Sequence, residues 1–297
     1  MSTSPAFGRL AVAMVTPFHG DGSLDTEGAQ ALAAHLVDQG CDALVLSGTT
    51  GEAPTTTDQE KRSLIRSVVE AVGDRARVLS GAGSNDTAHA VELARQAEAA
   101  GAHGLLVVAP YYSRPPQEGV RRHFESVADA TSLPVLLYDV PARTGVRLDR
   151  DTLRRLAEHP RVVGVKDCTG DLLHCARMIA ETGLQYYSGN DDLNLPLAAV
   201  GGVGAISTVA NAAPRESRAV LDAYARGETE LAARLNAELL PLVEAMMGSH
   251  PGTVTAKALL AHQGLPSGPV RLPLTPADEE LTDRLVTILH ASALCPA

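Results

Sequence analysis

Residues 104–140, GLLVVAPYYSRPPQEGVRRHFESVADATSLPVLLYDV, contain two short apolar runs separated by a polar segment with helical spacing. The apolar runs cover 104–109 and 134–138, and the helical segment covers 117–131. Apolar strands that alternate with amphipathic helices are typical of a parallel sheet buried on both faces. This stretch therefore predicts one strand–helix–strand unit.

The same alternation continues on both sides of this unit. Eight apolar runs occur in all, at 10–15, 43–47, 77–81, 104–109, 134–138, 162–166, 185–188 and 203–208. The helical candidates lie at 25–39, 57–72, 86–100, 117–131, 149–158, 170–182, 191–200 and 212–226. Eight such units predict an α/β fold, a (β/α)8 TIM barrel. The alternative is an open doubly wound sheet, but the first run leads into Thr16-Pro17-Phe18 and not into a GxGxxG turn.

The pattern changes after residue 226. Helical segments at 228–247, 253–263 and 276–290 follow with no apolar run between them. We expect a barrel at 1–226 and a C-terminal helical extension at 227–297 that packs on it, because a helical segment of this size is more stable against a neighbouring domain than alone. Several helix starts are marked by capping residues, a Thr57–Glu60 capping box and N-caps at Asp86 and Asp149.

Composition and charge exclude several classes of protein. The net charge is −10 and the chain has no basic tract, which argues against nucleic acid and anionic membrane surfaces as partners. No apolar stretch approaches the roughly 20 residues of a membrane helix, and the first residues lack a signal-peptide layout. We therefore expect a cytoplasmic protein.

The four cysteines show no pattern of a metal site. Cys41, Cys168, Cys175 and Cys295 form no CxxC pair and have no accompanying histidine cluster. We interpret them as reduced thiols of structural or incidental role, and we predict no metal site.

Lysine occurs at only three positions, so few residues could supply an amine nucleophile. Lys61 lies between charged neighbours, as on a solvated helix face, and Lys257 lies in the helical extension. Lys166 instead ends the sixth apolar run, at the edge where a barrel carries its active site. Desolvation lowers the pKa of a lysine, and a neutral amine can form a Schiff base with a ketone. The alternative is an ion pair with Asp167 or another acid.

Other candidate residues follow the neighbouring runs. In GTTGE (48–52), two hydroxyls and free N–H groups could hold a carboxylate, although an ordinary turn has the same composition. Tyr112 and Tyr138 could move protons or could simply pack at the rim. Arg143, in a loop, could bind a carboxylate or point into solvent. The glycines of 188–192 and 201–207 would permit close approach of a ligand, or form turns.

Six motifs together resemble those of the dihydrodipicolinate synthase family, part of the pyruvate-dependent class I aldolase superfamily that includes N-acetylneuraminate lyase. They are GTTGE (48–52), APYYSRPPQEG (109–119), YDVPARTG (138–145), GVKDCTGD (164–171), YSGNDD (187–192) and GGVGAIS (201–207). The resemblance implies a lyase of the diaminopimelate and lysine biosynthesis pathway. It would condense pyruvate with L-aspartate 4-semialdehyde, without a separate cofactor.

The resemblance also implies a pyruvate site. Lys166 would form the Schiff base, and Thr49 and Thr50 would hold the pyruvate carboxylate. Gly189 and the carbonyl of Ile206 would complete the pocket.

A proton relay and a second-substrate site follow in the same way. Tyr138 would be the general acid and base, connected through Thr49 to Tyr112. Tyr112 would come from a neighbouring subunit of a homotetramer, a dimer of dimers. Arg143 would bind the carboxylate of the semialdehyde.

The sequence departs from the family pattern at several places. Asp139 replaces the usual asparagine, and HPGT (250–253) replaces an NPxP segment. In the lysine-inhibited branch, a crevice at the dimer interface carries histidine and glutamate ligands. The matching positions here are Asp58, Lys61 and His89, with Asn85 and Tyr111 retained. We therefore expect weak or absent feedback by lysine.

Two other functions remain open. One is another Schiff-base aldolase, lyase or dehydratase acting on a sugar acid or a 4-hydroxy-2-oxo acid, against which Arg143 favours the synthase. The other is a non-catalytic barrel that binds a keto acid, which the presence of Lys166, Tyr138, Tyr112, Thr49 and Thr50 disfavours.

Overall fold

In the computed structural model, which describes residues 4–248 and 250–291, eight parallel strands form a closed barrel in chain order. Neighbouring strands pair all the way round, and β1 closes the barrel by pairing with β8. The strands are β1 Leu10–Ala13, β2 Ala43–Leu46, β3 Arg77–Gly81, β4 Gly104–Val108, β5 Val135–Asp139, β6 Val162–Asp167, β7 Gln185–Ser188 and β8 Gly204–Ser207. The predicted TIM barrel is confirmed, and every strand end lies within two residues of its predicted position.

Helices follow the strands and cover the outside of the barrel. They are α1 Thr26–Asp38, α2 Asp58–Val72, α3 Thr87–Ala99, α4 Gln117–Asp129, α5 Pro141–Thr144, α6 Arg150–Ala157, α7 Leu172–Thr182, α8 Asn194–Ala199 and α9 Pro214–Ala225. The predicted caps are confirmed: Thr57 and Glu60 form a capping box, and the Asp86 and Asp149 side chains accept backbone N–H groups. The one-turn helix α5 was not predicted.

The predicted helix at 191–200 is divided in the structure. Residues Asp191–Leu193 form a 3-10 turn, and only Asn194–Ala199 are α-helical. The Asp191 carboxylate accepts the backbone N–H groups of Thr208 and Val209, at 3.0 and 3.2 Å. Because this side chain connects β7 to the end of β8, the regular helix begins only after it.

Strand alternation divides the apolar core into two layers. Side chains such as Leu136, Tyr138 and Ile206 fill the barrel interior, whereas Leu137 and its neighbours pack between strands and helices. Tyr138 and Lys166 are partners in the β5–β6 register. Successive side chains of a strand point to opposite faces, so Tyr138 and Lys166 share the interior face, and the next residues on both strands face the helices.

Three further helices follow the barrel: α10 Thr229–Met247, α11 Gly252–His262 and α12 Glu279–Ala291. Helix α10 packs on α9, and α12 packs on both α10 and α11. We propose that residues 1–226 form the barrel and residues 227–297 form the extension. Residues 249 and 292–297 lie outside the described residues. Within the described residues, every helix is too short or too polar to span a bilayer.

Candidate active site

Lys166 lies near the end of β6, with its side chain inside the barrel and only 5 % of the residue exposed. Its Nζ lies 4.6 Å from the centroid of the Tyr138 ring. Among the described residues the amine has no hydrogen-bond or ion-pair partner, so the alternative of an ion pair with Asp167 is wrong. Burial lowers the pKa of Lys166, since removal from water disfavours the ammonium form. Burial therefore favours the neutral amine, the form that can attack a carbonyl.

A cavity of about 370 Å³ opens above Lys166 at the carboxyl ends of the strands. Six of the eight predicted site residues line it: Thr49, Thr50, Tyr138, Arg143, Lys166 and Gly189. The other two do not. Ile206 is buried in the barrel interior, and Tyr112 is 89 % exposed at the rim, with a φ of 74°.

Tyr138 lies between Lys166 and the turn at 48–52. The Thr49 side chain hydrogen-bonds to the Tyr138 hydroxyl, and burial raises the pKa of that phenol. The tyrosine is therefore protonated at neutral pH and can donate a proton to a group formed on the lysine. The Thr49 side chain connects this phenol to the turn, which is one link of the relay that the family resemblance implies.

The turn at 48–52 is held by contacts from three parts of the chain. The Thr50 and Thr208 hydroxyls lie 3.1 Å apart, and the Thr253 hydroxyl donates to the Thr49 carbonyl at 3.5 Å. The Glu52 carboxylate, 1 % exposed, lies 2.7 Å from Lys257 Nζ. Two threonine hydroxyls thus face the cavity on a turn that is fixed to both the barrel and the extension.

Arg143 lies on the short helix α5 and borders the cavity. The α5 turn is held at its base: the Leu148 N–H donates to Asp139 Oδ2 at 3.2 Å, and the Thr144 hydroxyl donates to the Val146 carbonyl at 2.8 Å. No hydrogen bond or ion pair engages the Arg143 guanidinium within the described part of the chain. It is therefore available to a carboxylate.

Behind the active-site wall, two carboxyl groups face each other. Asp139 and Asp167 are partners in the β5–β6 register, and both are buried on the helix side of the sheet. The Thr169 N–H and hydroxyl donate to Asp167, whereas Asp139 Oδ1 has no partner among the residues that the structure describes. Burial and the neighbouring Asp167 raise the pKa of Asp139 to about 7. The departure from asparagine therefore adds a titratable group beneath the Arg143 turn.

Residues that the sequence analysis did not select also line the cavity. Cys168, interpreted as a structural or incidental thiol, lies in the cavity wall with its sulfur 4.0 Å from the Tyr138 hydroxyl. Its position two residues after Lys166 was the signal that could have identified it. Thr208 and the segment 251–253 complete the wall from β8 and the extension. Cys41 and Cys175 are free and buried, and Cys295 lies outside the described residues.

The prediction of a solvated Lys61 is wrong. Lys61 is buried because it shares the inner face of α2 with Leu64, Ile65 and Val68, one and two turns further along the helix. Its Nζ donates to the Thr56 carbonyl at 2.8 Å. Burial lowers the pKa of Lys61.

Four of the five crevice residues come together in a second cavity of about 430 Å³, whereas Asn85 does not line it. Asp58, Lys61, His89 and Tyr111 line this cavity, which borders the first one at Tyr138. Lys61 Nζ lies 3.6 Å and His89 Nε2 3.1 Å from the Asp58 carboxylate. Both basic groups thus already share the one acid, and the expected weakness of lysine feedback stays a prediction.

The chain is similar to known proteins in both sequence and fold. A sequence model of the Dihydrodipicolinate synthetase family matches residues 6–292. The chain is 60 % identical to 4-hydroxy-tetrahydrodipicolinate synthase 1 of Streptomyces coelicolor, over 95 % of this chain and 93 % of that protein. Its fold matches dihydrodipicolinate synthase DapA-2 of Bacillus anthracis with a TM-score of 0.93 at 38 % identity, over 97 % and 99 % of the two chains. The enzyme from Cyanidioschyzon merolae, solved with lysine bound, matches with a TM-score of 0.94 at 38 % identity, over 98 % and 99 %.

Proposed function

The chain belongs to the dihydrodipicolinate synthetase family, and we propose that it condenses pyruvate with L-aspartate 4-semialdehyde, the 4-hydroxy-tetrahydrodipicolinate synthase reaction. The observation that carries this proposal is the buried Lys166 amine, unpaired within the described residues, at the base of a cavity that threonines and Arg143 line. Burial favours the neutral form of this amine, and the neutral form is the one that attacks the carbonyl of a 2-oxo acid.

The proposed first step forms the Schiff base. The Lys166 amine adds to C2 of pyruvate, water leaves, and an iminium remains. We assign the proton transfers of this step to Tyr138, because its ring centroid lies 4.6 Å from Lys166 Nζ and its hydroxyl is hydrogen-bonded to the Thr49 side chain. The free N–H and hydroxyl groups of the 48–52 turn, including Thr50, hold the pyruvate carboxylate, and Gly189 allows close approach on the other side.

The proposed second step joins the substrates. Loss of a proton from the pyruvate methyl group gives an enamine, because the iminium accepts the electron pair. The enamine carbon adds to the aldehyde of the semialdehyde, whose carboxylate pairs with Arg143. Attack of the semialdehyde amine on C2 then closes the ring and releases Lys166. This sequence uses no separate cofactor, since the iminium is the electron sink.

We also propose a homotetramer, a dimer of dimers, in which Tyr112 enters the site of a neighbouring subunit. Tyr112 supports this because a tyrosine that is 89 % exposed at a φ of 74° is costly unless another surface covers it. The enzyme would act in the cytoplasm, in diaminopimelate and lysine biosynthesis.

The experiment is a synthase assay with both substrates, followed by the appearance of the cyclic product. Turnover with pyruvate and L-aspartate 4-semialdehyde supports the proposal. Cleavage of sugar acids without this turnover would assign the chain to another activity of the superfamily.

A further inference from the structure

Cys168 places a thiol in the wall of the cavity that contains the reactive lysine. Its Sγ lies 4.0 Å from the Tyr138 hydroxyl. A Cβ built on Gly189 would lie 2.3 Å from this sulfur and 2.7 Å from Lys166 Cε, so both atoms contact the same point of the β7 loop. The sulfur is therefore beside the end of the Lys166 side chain.

A second observation shows what this thiol faces. Lys166 is nine-tenths buried, is unpaired within the described residues and points into the same cavity. Such an amine indicates a carbonyl ligand, as argued for the proposed function, on which this inference rests. In a Schiff base on Lys166, C3 of a 2-oxo acid is only one bond from the carbon that carries the nitrogen. The Cys168 sulfur would then be a neighbour of C3.

We propose that Cys168 is a covalent capture site for 2-oxo acids that carry a leaving group on C3, with 3-bromopyruvate as the probe. The sulfur forms a bond to C3 and the C3–Br bond breaks. Bromide leaves with the bonding electron pair, and the thiol proton passes to water, with the Tyr138 hydroxyl as the nearest relay. No oxidant or metal is required, and the product is a thioether.

Recognition at Lys166, and not intrinsic thiol reactivity, makes this site selective. Burial raises the pKa of the Cys168 thiol to about 11, so a reagent without a carboxylate and ketone should react slowly. A 2-oxo acid bound on Lys166 instead holds its C3 next to the sulfur, which replaces an encounter in solution by a reaction within a complex. Iodoacetamide therefore serves as a matched reagent that lacks the recognition elements.

The chain supplies its own control thiols. Cys41 and Cys175 are 4 % and 0 % exposed and lie in the layer between strands and helices, away from the cavity. They should stay unmodified under conditions that modify Cys168.

The test treats the full chain with 3-bromopyruvate and locates adducts by peptide mass spectrometry. Among Cys41, Cys168 and Cys175, we expect an adduct on Cys168 alone, formed with saturation kinetics, and slower reaction with iodoacetamide. Pyruvate at about ten times its dissociation constant should slow the labelling about tenfold. The Cys168→Ala variant should keep its own starting activity through the same treatment.

Three results decide between this inference and the proposed function. If pyruvate and borohydride modify Lys166 while 3-bromopyruvate leaves Cys168 unmodified, the inference is overturned and the proposed function stands. Labelling of Cys168 that pyruvate does not slow also overturns it, since the thiol would then react without recognition. If borohydride fixes no pyruvate on Lys166, the proposed function falls and the inference falls with it.

Discussion

The ion pair between Lys257 and Glu52 connects the C-terminal extension to the active-site turn. Lys257 Nζ lies 2.7 Å from Glu52 Oε1, and the two side chains are 4 % and 1 % exposed. The same ammonium donates to the Pro269 carbonyl at 2.8 Å and lies 4.4 Å from the centroid of the Phe18 ring. The Arg271 N–H donates to the other Glu52 oxygen at 2.8 Å. Replacing Lys257 by methionine keeps an apolar stem of similar length but removes the charge.

The expected cost is large because the remaining carboxylate stays buried. Among the partners that the described residues supply, Glu52 would retain only the Arg271 N–H in the Lys257→Met variant. Removing one partner of a buried ion pair costs about 3 to 5 kcal/mol, which should lower the melting temperature by about 6 °C or more. The double variant Lys257→Met with Glu52→Gln has lost both charges, so no unpaired charge is left buried. Its loss of unfolding free energy should therefore be smaller than the sum of the losses in the two single variants.

The assay is urea unfolding followed by circular dichroism, at one protein concentration so that self-association stays constant. Arg226→Met is the matched control, because Arg226 pairs with Glu228 at the surface, where the side chains are 56 % and 45 % exposed. That change should cost much less than the Lys257 change, because solvent screens an exposed ion pair. If Lys257→Met is no more destabilising than Arg226→Met, the reasoning about the buried pair is refuted.

Three further predictions concern the site and its surroundings. Arg143→Ala should raise KM for L-aspartate 4-semialdehyde and leave borohydride trapping of pyruvate intact; an unchanged KM would remove Arg143 from the second-substrate site. Between pH 5 and pH 8, the Asp139→Asn variant should become more stable relative to the wild type by about 2.5 kcal/mol. The wild type loses stability over this range, because the raised pKa of about 7 makes ionisation of Asp139 costly in the folded state but not in the unfolded state. Equal differences in urea midpoint between the two proteins at both pH values would contradict this. Titration with L-lysine should leave activity nearly unchanged in the sub-millimolar range, because Lys61 and His89 already occupy the crevice acid; strong inhibition there would refute it.

Local sequence signals predicted the barrel well. A buried parallel strand needs a continuous apolar run and a helix needs a periodic one, so the eight runs and the caps at Thr57, Asp86 and Asp149 marked their elements. The division of 191–200 could not be predicted, because it depends on Asp191 reaching residues 208 and 209, which become its neighbours only when the barrel closes.

The site was predictable where its residues follow strands. Lys166, Tyr138 and Arg143 lie at strand ends, which meet at one edge of any such barrel. The burial of Lys61 and the ion pair of Lys257 were not predictable from charge patterns. The burial of Lys61 depends on which face of α2 packs inward. The Lys257 ion pair depends on a contact between residues more than 200 positions apart in the sequence.

The central claim, that Lys166 is the residue that binds pyruvate covalently, has a direct test. The protein is incubated with pyruvate, reduced with borohydride, digested and analysed by mass spectrometry, with Lys61 and Lys257 as internal controls. The account predicts a reduced pyruvate adduct on Lys166 and on neither other lysine. An unmodified Lys166 after this treatment would contradict it.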